Sequence, residues 1–227
     1  MLVLGLDTSS PAISVACVEL LPDGEGGAAW GRQADWQVVD ARAHGELLAT
    51  GVQAVLAEVG ARPGDLGAVA VGVGPGPFTG LRVGIVTAAA LADALGVPAY
   101  GVCSLDAVDA WGEGERVVVT DARRKEVYWA EYAADDERVA GPSVLTPAAL
   151  AAALAEVGWS GRVVGDGALR HAEHFPAVEA EPRYPSADGV VLLAARRALA
   201  GAPSEPLVPL YLRRPDATPP GATKPVR

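Results

Sequence analysis

The chain of 227 residues contains only two cysteines, Cys17 and Cys103, so one disulfide is the most it can form, and a chain this long needs none. A reducing compartment is the expectation. Positive charge is also scarce: 18 Lys and Arg stand against 28 Asp and Glu, a formal charge of −10, and the only lysines are Lys125 and Lys224. Such a field repels a polyphosphate backbone. The basic clusters Arg123-Arg124-Lys125, Arg196-Arg197 and Arg213-Arg214 are short and read as solvated turn or helix-end charges. There is no uninterrupted apolar run of the ~20 residues that span a bilayer. The opening MLVLGLDTSS lacks the basic region and long apolar core of a secretion signal. The expectation is a soluble, cytoplasmic protein without membrane contact.

Half of the residues are apolar, enough for a substantial core in one domain or two small lobes. Leu2–Asp7 reads as a buried strand running into the turn Asp7-Thr8-Ser9-Ser10, and Ile13–Leu21 as a second strand. A glycine-rich turn over Pro22–Gly27 precedes a third strand, Trp30–Val39. His44–Val59 has helical periodicity, Ala68–Val73 reads as a buried strand, Leu81–Leu95 as a helix and Pro98–Val102 as a short strand.

The second half repeats the order of three strands, helix, strand and helix: Arg116–Asp121, Val127–Tyr132, Val139–Leu145, a helix from Thr146-Pro147 to about Val157, Arg162–Val164, and a helix over Ser186–Leu199. The repeat predicts two duplicated α/β lobes, residues 1–101 and 102–202. Seven of the 25 residues from Pro203 onward are proline, which predicts an extended end for 203–227, disordered after 214.

Between a strand and a helix lies GVGPGPFTGLRVG, Gly72–Gly84. Gly74, Gly76 and Gly80 permit close approach of a ligand, and the helix after them offers free amides to an anion. The spacing matches neither the P-loop nor the dinucleotide motif, so a phosphate loop and a tight strand-to-helix turn both remain open. Asp7 and Asp121 each end a strand, where a carboxylate can serve a phosphate-bound cation or simply cap a turn. Gly165-Asp166-Gly167 reads as a turn. His171 and His174 flank Glu173 but lack a third ligand at a suggestive spacing, and His44, near Glu46, reads as a capping or solvated residue.

Both helices of the first half are apolar on more than one side. Leu48, Val52, Val55 and Val59 form a stripe on the first, beside a small-residue face of Gly51, Ala54 and Ala57. The second carries the stripe Leu81, Ile85, Ala88, Ala92 and Leu95 and another of Val83, Val86, Ala90 and Ala94. One stripe can cover a sheet and the other is left over, which predicts either a deeply buried helix pair or an interface. We take Leu48, Val52, Val55, Val59, Ile85, Ala88, Ala92 and Leu95 as the candidate partner surface.

GLDTSS at Gly5–Ser10, the loop Gly72–Gly84 and PLYLRRPDA from Pro209 together resemble the TsaB (YeaZ) family of tRNA threonylcarbamoyladenosine biosynthesis proteins over residues 2 to 216. The resemblance implies two duplicated lobes of the actin, Hsp70 and sugar-kinase (ribonuclease H-like) type, and a role in moving threonylcarbamoyl to adenosine next to the tRNA anticodon. It implies a TsaD-type catalytic partner, a TsaE-type ATPase partner, ATP and metal held on those partners, a homodimer when alone, pairing through the two helices above, and only indirect contact with tRNA. The paralogue TsaD holds metal with two histidines in a segment that matches Ser104-Leu105-Asp106-Ala107-Val108 here. Ser104 and Val108 stand at those positions, and neither is a ligand for such a metal. The expectation is therefore a non-catalytic chain with no intrinsic metal or cofactor. Its rivals are a stand-alone ATP-dependent acyl- or phosphotransferase using Asp7, Asp121 and the glycine loop, and a metallopeptidase, for which the His-Glu-x-x-His motif is absent.

Overall fold

The computed structural model describes residues 1–22 and 28–213. One sheet contains β1 (Leu2–Asp7), β2 (Ala12–Pro22), β3 (Ala28–Val39), β4 (Leu66–Gly72) and β5 (Ala99–Val102), in the order β3-β2-β1-β4-β5. The other contains β6 (Arg116–Asp121), β7 (Val127–Tyr132), β8 (Arg138–Leu145) and β9 (Arg162–Val164), in the order β8-β7-β6-β9. In each, the first three strands form an antiparallel meander and the next strand, arriving after a crossover helix, pairs in parallel with the first. The repeated order of elements in the sequence is thus a repeated sheet topology.

Alternation along the strands of the first sheet sorts side chains by size. Leu4, Leu6, Ile13, Val15, Val69 and Val71 point to one face, where α1 (His44–Glu58) and α2 (Phe78–Leu95) cover them. Val3, Ala16, Val18, Ala68 and Ala70 point to the other, where α5 (Ala187–Leu199) lies against them with Ala187, Ala194, Ala195 and Ala198. Small residues bring α5 close: a β-carbon on Gly5 would collide with the Ala187 carbonyl. Each fully buried Val or Leu contributes ~1.5–3 kcal/mol relative to exposure. The second sheet is covered on one face by α3 (Pro147–Glu156), α4 (Asp166–Arg170) and Phe175, and on the other by Leu105, Val108 and Leu212. Thr146 caps α3, its side chain accepting from Ala149 N.

The placement of α5 corrects the boundary expected near residue 101. A sheet with two apolar faces needs a second cover, and the helix that supplies it comes from the segment assigned to the other lobe. The proline-rich end also returns to the first lobe. Glu205 N donates to Ala99 O at 3.2 Å and Leu210 N to Val73 O at 2.7 Å, while Leu207 and Leu210 pack on the first core. Residues 202–212 thus form an irregular strap bridging both lobes, with Leu212 ending on the second. The turn expected over Pro22–Gly27 falls mostly on residues 23–27, and the disorder expected after 214 on 214–227; both lie outside the described residues.

Candidate functional site

The site suggested by Asp7 and the glycine loop lies where the two sheets meet. Asp7 ends β1 and is fully buried. Its Oδ1 accepts hydrogen bonds from Ser9 N (2.8 Å) and Ser9 Oγ (2.7 Å), and its Oδ2 accepts from Ser104 Oγ (2.6 Å). Ser104 Oγ in turn accepts from Gly74 N at 3.0 Å. Burial raises the Asp7 carboxyl above its ordinary range, and the hydrogen bonds from Ser104 and Ser9 oppose that shift.

The glycines of the loop accommodate this turn. A β-carbon on Gly72 would strike Asp7 Oδ2, one on Gly76 the Ser9 carbonyl, and one on Gly80 would sit 2.9 Å from the Thr8 carbonyl. Thr8 Oγ1 donates to Gly80 O at 2.8 Å and accepts from Gly84 N at 2.9 Å. Gly74, at φ 95°, alone among these needs glycine for its backbone angle. The loop left open as a phosphate loop or a tight strand-to-helix turn is packed against the chain's own Asp7-Thr8-Ser9 segment. The cavity beside it, lined by Ser9, Ser104, Thr120, Asp121, Arg123 and Asp166, encloses about 10 Å³, room for about one water.

Asp121 and Asp166 meet at the far side of this cavity. Asp121 N donates to Asp166 Oδ1 (3.2 Å), and Asp121 Oδ2 lies 3.6 Å from Arg123 and 3.5 Å from Arg170. Asp166 Oδ2 is buried without a hydrogen-bond partner, and burial raises the carboxyl. Gly165, at φ 108°, precedes α4, so the expected Gly165-Asp166-Gly167 turn opens a helix.

His44 Nε2 donates to the Ser10 carbonyl at 2.9 Å, tying α1 to the β1–β2 turn. Ser104 closes on Asp7, and Val108 is buried in the second core. His171 and His174 lie in the turns after α4, with Glu173 at 4.0 and 3.7 Å. Among the described residues no three His, Cys, Asp or Glu side chains converge as metal ligands.

The candidate partner residues require a correction. Leu48, Val55, Val59, Ile85, Ala88 and Ala92 are buried in the chain's own core, and Val52 and Leu95 pack at its margin. The stripe with the larger side chains covers the sheet because that face carries the Leu, Ile and Val of β1, β2 and β4. Gly51 faces inward as well, with Trp36 occupying the space a side chain would need. The outward face of α2 is Arg82, Val86, Ala89, Ala90, Asp93 and Ala94, and that of α1 includes Ala49, Ala54 and Ala57. Val86 is 64% exposed. Beside it runs a groove of about 540 Å³ between α2 and the strap, with Val86, Ala89 and Val97 on one side and Ser204, Glu205 and Leu207 on the other. By length and composition α2 is apolar enough to cross a membrane, yet its inner face is seated on the sheet.

Sequence reasoning missed Asp166 as a buried carboxylate with one oxygen, Oδ2, left without a hydrogen-bond partner. It also missed a surface cluster in which Phe78 stacks on Tyr211, with ring centroids 5.3 Å apart, and Arg82 Nε donates to Tyr211 Oη at 2.7 Å. Tyr211 stood in the quoted PLYLRR stretch, but nothing local linked it to a helix 129 residues away.

Comparison with known proteins agrees with this architecture. The family model described as "TsaD: tRNA N6-adenosine threonylcarbamoyltransferase" matches residues 38–164. An uncharacterised protein of Mycobacterium tuberculosis is 46% identical over 220 residues, covering 96% of this chain and 94% of that protein. The tRNA threonylcarbamoyladenosine biosynthesis protein TsaB of Escherichia coli is 37% identical over 144 residues, 61% of this chain and 58% of that one. The solved structure of YeaZ from Pseudomonas aeruginosa superposes with a TM-score of 0.73 at 30% identity, covering 93% of this chain and 99% of that chain. The two sheets repeat one α/β topology, and with these relatives the chain belongs to the TsaB (YeaZ) family of tRNA threonylcarbamoyladenosine biosynthesis proteins.

Proposed function

We propose that this chain is a non-catalytic scaffold or activating subunit. It acts in the cytoplasm with a TsaD-type catalytic subunit and a TsaE-type ATPase to transfer threonylcarbamoyl to adenosine next to the tRNA anticodon. The observation that carries this reading is the closure of Asp7 by Ser104. The hydroxyl at the position matching a paralogue metal ligand is bonded to Asp7, one of the two carboxylates that could have served phosphate or magnesium, and the cavity beside it is about 10 Å³. ATP and metal belong to the partner subunits. Association uses the outward face of α2 and the groove beside it, where exposed Val and Ala side chains gain from losing water contact. The isolated chain pairs with itself through the same face.

Co-purification with TsaD-type and TsaE-type subunits, with tRNA modification assayed with and without this chain, tests the proposal. It expects modification only when all three are present and no ATP turnover by this chain alone. ATP turnover by the isolated chain, lost in Asp7→Asn, would favour the stand-alone transferase instead.

A further inference from the structure

Between β6 and β7 the chain reverses over Ala122–Glu126. Ala122 N donates to Glu126 O, and Glu126 N to Arg123 O, both at 3.0 Å. The three tip residues Arg123, Arg124 and Lys125 all adopt left-handed backbone, with φ of 62°, 53° and 61°. That region is sterically unfavourable for any residue with a β-carbon. Turns that require it ordinarily use Gly, Asn or Asp, and this one uses none at its tip. In a chain of formal charge −10 with two lysines, the strained tip sets three exposed cations side by side. Strain held at a surface loop is a reason to look for what its side chains do.

The loop is buttressed by Arg213, the residue that follows the strap. Arg213 donates to Ala122 O (2.8 Å) and Arg123 O (3.4 Å) and pairs with Glu126. With Arg213 the loop brings four cations together with two carboxylates, Glu126 paired to Arg213 and Asp121 3.6 Å from Arg123, an excess of positive charge. Arg123 also lines a cavity of about 180 Å³ shared with Phe78, Thr79 and Gly80 at the start of α2. Phe78 is 44% exposed and stacked on Tyr211, itself 38% exposed, with the Arg82 guanidinium 3.7 Å from the Phe78 ring centroid. Half-exposed rings beside clustered cations are the pairing that holds unpaired nucleotides, the bases stacking on aromatic faces while phosphates meet the charges.

We propose that the Arg123–Lys125 tip and the Phe78–Tyr211 stack form a contact for single-stranded RNA. It gives the chain a direct RNA contact where net charge alone predicts none. The inference rests on the proposed role in tRNA modification only for the source of that RNA.

Fluorescence anisotropy of the full chain, with a labelled single-stranded oligoribonucleotide and the same sequence as a duplex, provides the test across a range of salt. The variants are R123E/R124E/K125E, Phe78→Ala and, as a control away from the tip, Arg62→Glu. The proposal expects measurable single-strand binding at low salt, weakened at least about tenfold by the tip reversal. Losing three phosphate contacts should also reduce the salt slope by about two. Phe78→Ala should weaken binding to the single strand several-fold and leave binding to the duplex unchanged, and Arg62→Glu should match wild type. If the reversed tip does not fold, R123Q/R124Q/K125Q and ultraviolet cross-linking mapped to the peptides containing Lys125 and Tyr211 carry the same test.

No single-strand binding at low salt, a tip variant equal to the control, or equal binding to duplex and inorganic polyphosphate would each overturn the assignment. Co-purification with a TsaD-type subunit separates the two readings. A tip variant that keeps the partner and loses RNA supports the contact. One that loses the partner assigns the loop to a protein interface and overturns it, and absence of RNA binding with the partner retained removes the contact while the scaffold role stands.

Discussion

The cleft at Asp7 and the outer face of α2 are both rich in small residues and put them to opposite uses. In the cleft, Gly72, Gly76 and Gly80 let Asp7, Thr8 and Ser9 press against the glycine loop, and about 10 Å³ remains. On α2, Ala89 and Ala90 leave an open surface beside exposed Val86 and a groove of about 540 Å³. Chemistry requires room for substrate and an acid or base not already engaged. Association requires apolar surface still in contact with water. The molecule has spent its first candidate region on holding itself together and left the second uncovered.

The contrast is most sharply broken on α2 itself. Ala88→Arg forces a guanidinium into the first core, which costs several kcal/mol, so little folded protein should be recovered. Ala90→Arg, two residues on and outward, should change the unfolding free energy read from a urea titration by less than about 0.5 kcal/mol while weakening self-association in light scattering. Equal stability of the two variants would mean that the helix is rotated from the orientation described.

In the cleft, Gly72→Ala should cost about 1–3 kcal/mol, the usual range for overpacking a tight site, because Asp7 Oδ2 and Ser104 Oγ are both within reach of the new methyl. Denaturant titration reads this directly. An unchanged midpoint would show that the turn and loop are loosely apposed.

A smaller effect concerns pH. Burial raises the Asp7 and Asp166 carboxyls, so the native state holds these protons more tightly than the unfolded chain does. Their contribution to stability is present below the unfolded carboxylate value of ~4 and is lost as pH rises through the raised native values. Asp7→Asn removes one share of that loss, and its stability should fall less steeply than wild type as pH rises above 4. Parallel profiles would place Asp7 in contact with solvent. Least affected is the thiol chemistry. Burial pushes Cys17 up to about 11 and Cys103 up to about 12, so both should resist a thiol reagent at pH 8 until the chain unfolds, and rapid native labelling would contradict their burial.

Much of the fold was legible because apolar runs such as Leu2–Asp7 and Arg116–Asp121 become central strands, and the repeated order of elements marks the duplication. What stayed hidden depends on pairings across the chain. A core stripe and an interface stripe have the same helical period, so the sequence of α2 could not say whether Ala88 or Ala90 faces the sheet. That is decided by the side chains β1, β2 and β4 present to it. The glycine loop was visible as a loop, but its reason was not, because the residues that need the space are Asp7, Thr8 and Ser9, more than 60 positions earlier. The basic tip was visible as Arg123-Arg124-Lys125. Its left-handed backbone and its support by Arg213 were not, since neither follows from local composition.

The central claim is that this chain contributes a binding face and no chemistry of its own. Reconstituted threonylcarbamoyl transfer with TsaD-type and TsaE-type subunits, comparing wild type, Asp7→Asn and Val86→Arg, tests it most directly. The account predicts that Val86→Arg, a folded variant with a charge on the exposed face, loses partner association and reduces transfer at least about tenfold, while Asp7→Asn stays within about twofold of wild type. Transfer abolished in Asp7→Asn with association intact, and preserved in Val86→Arg, would contradict it.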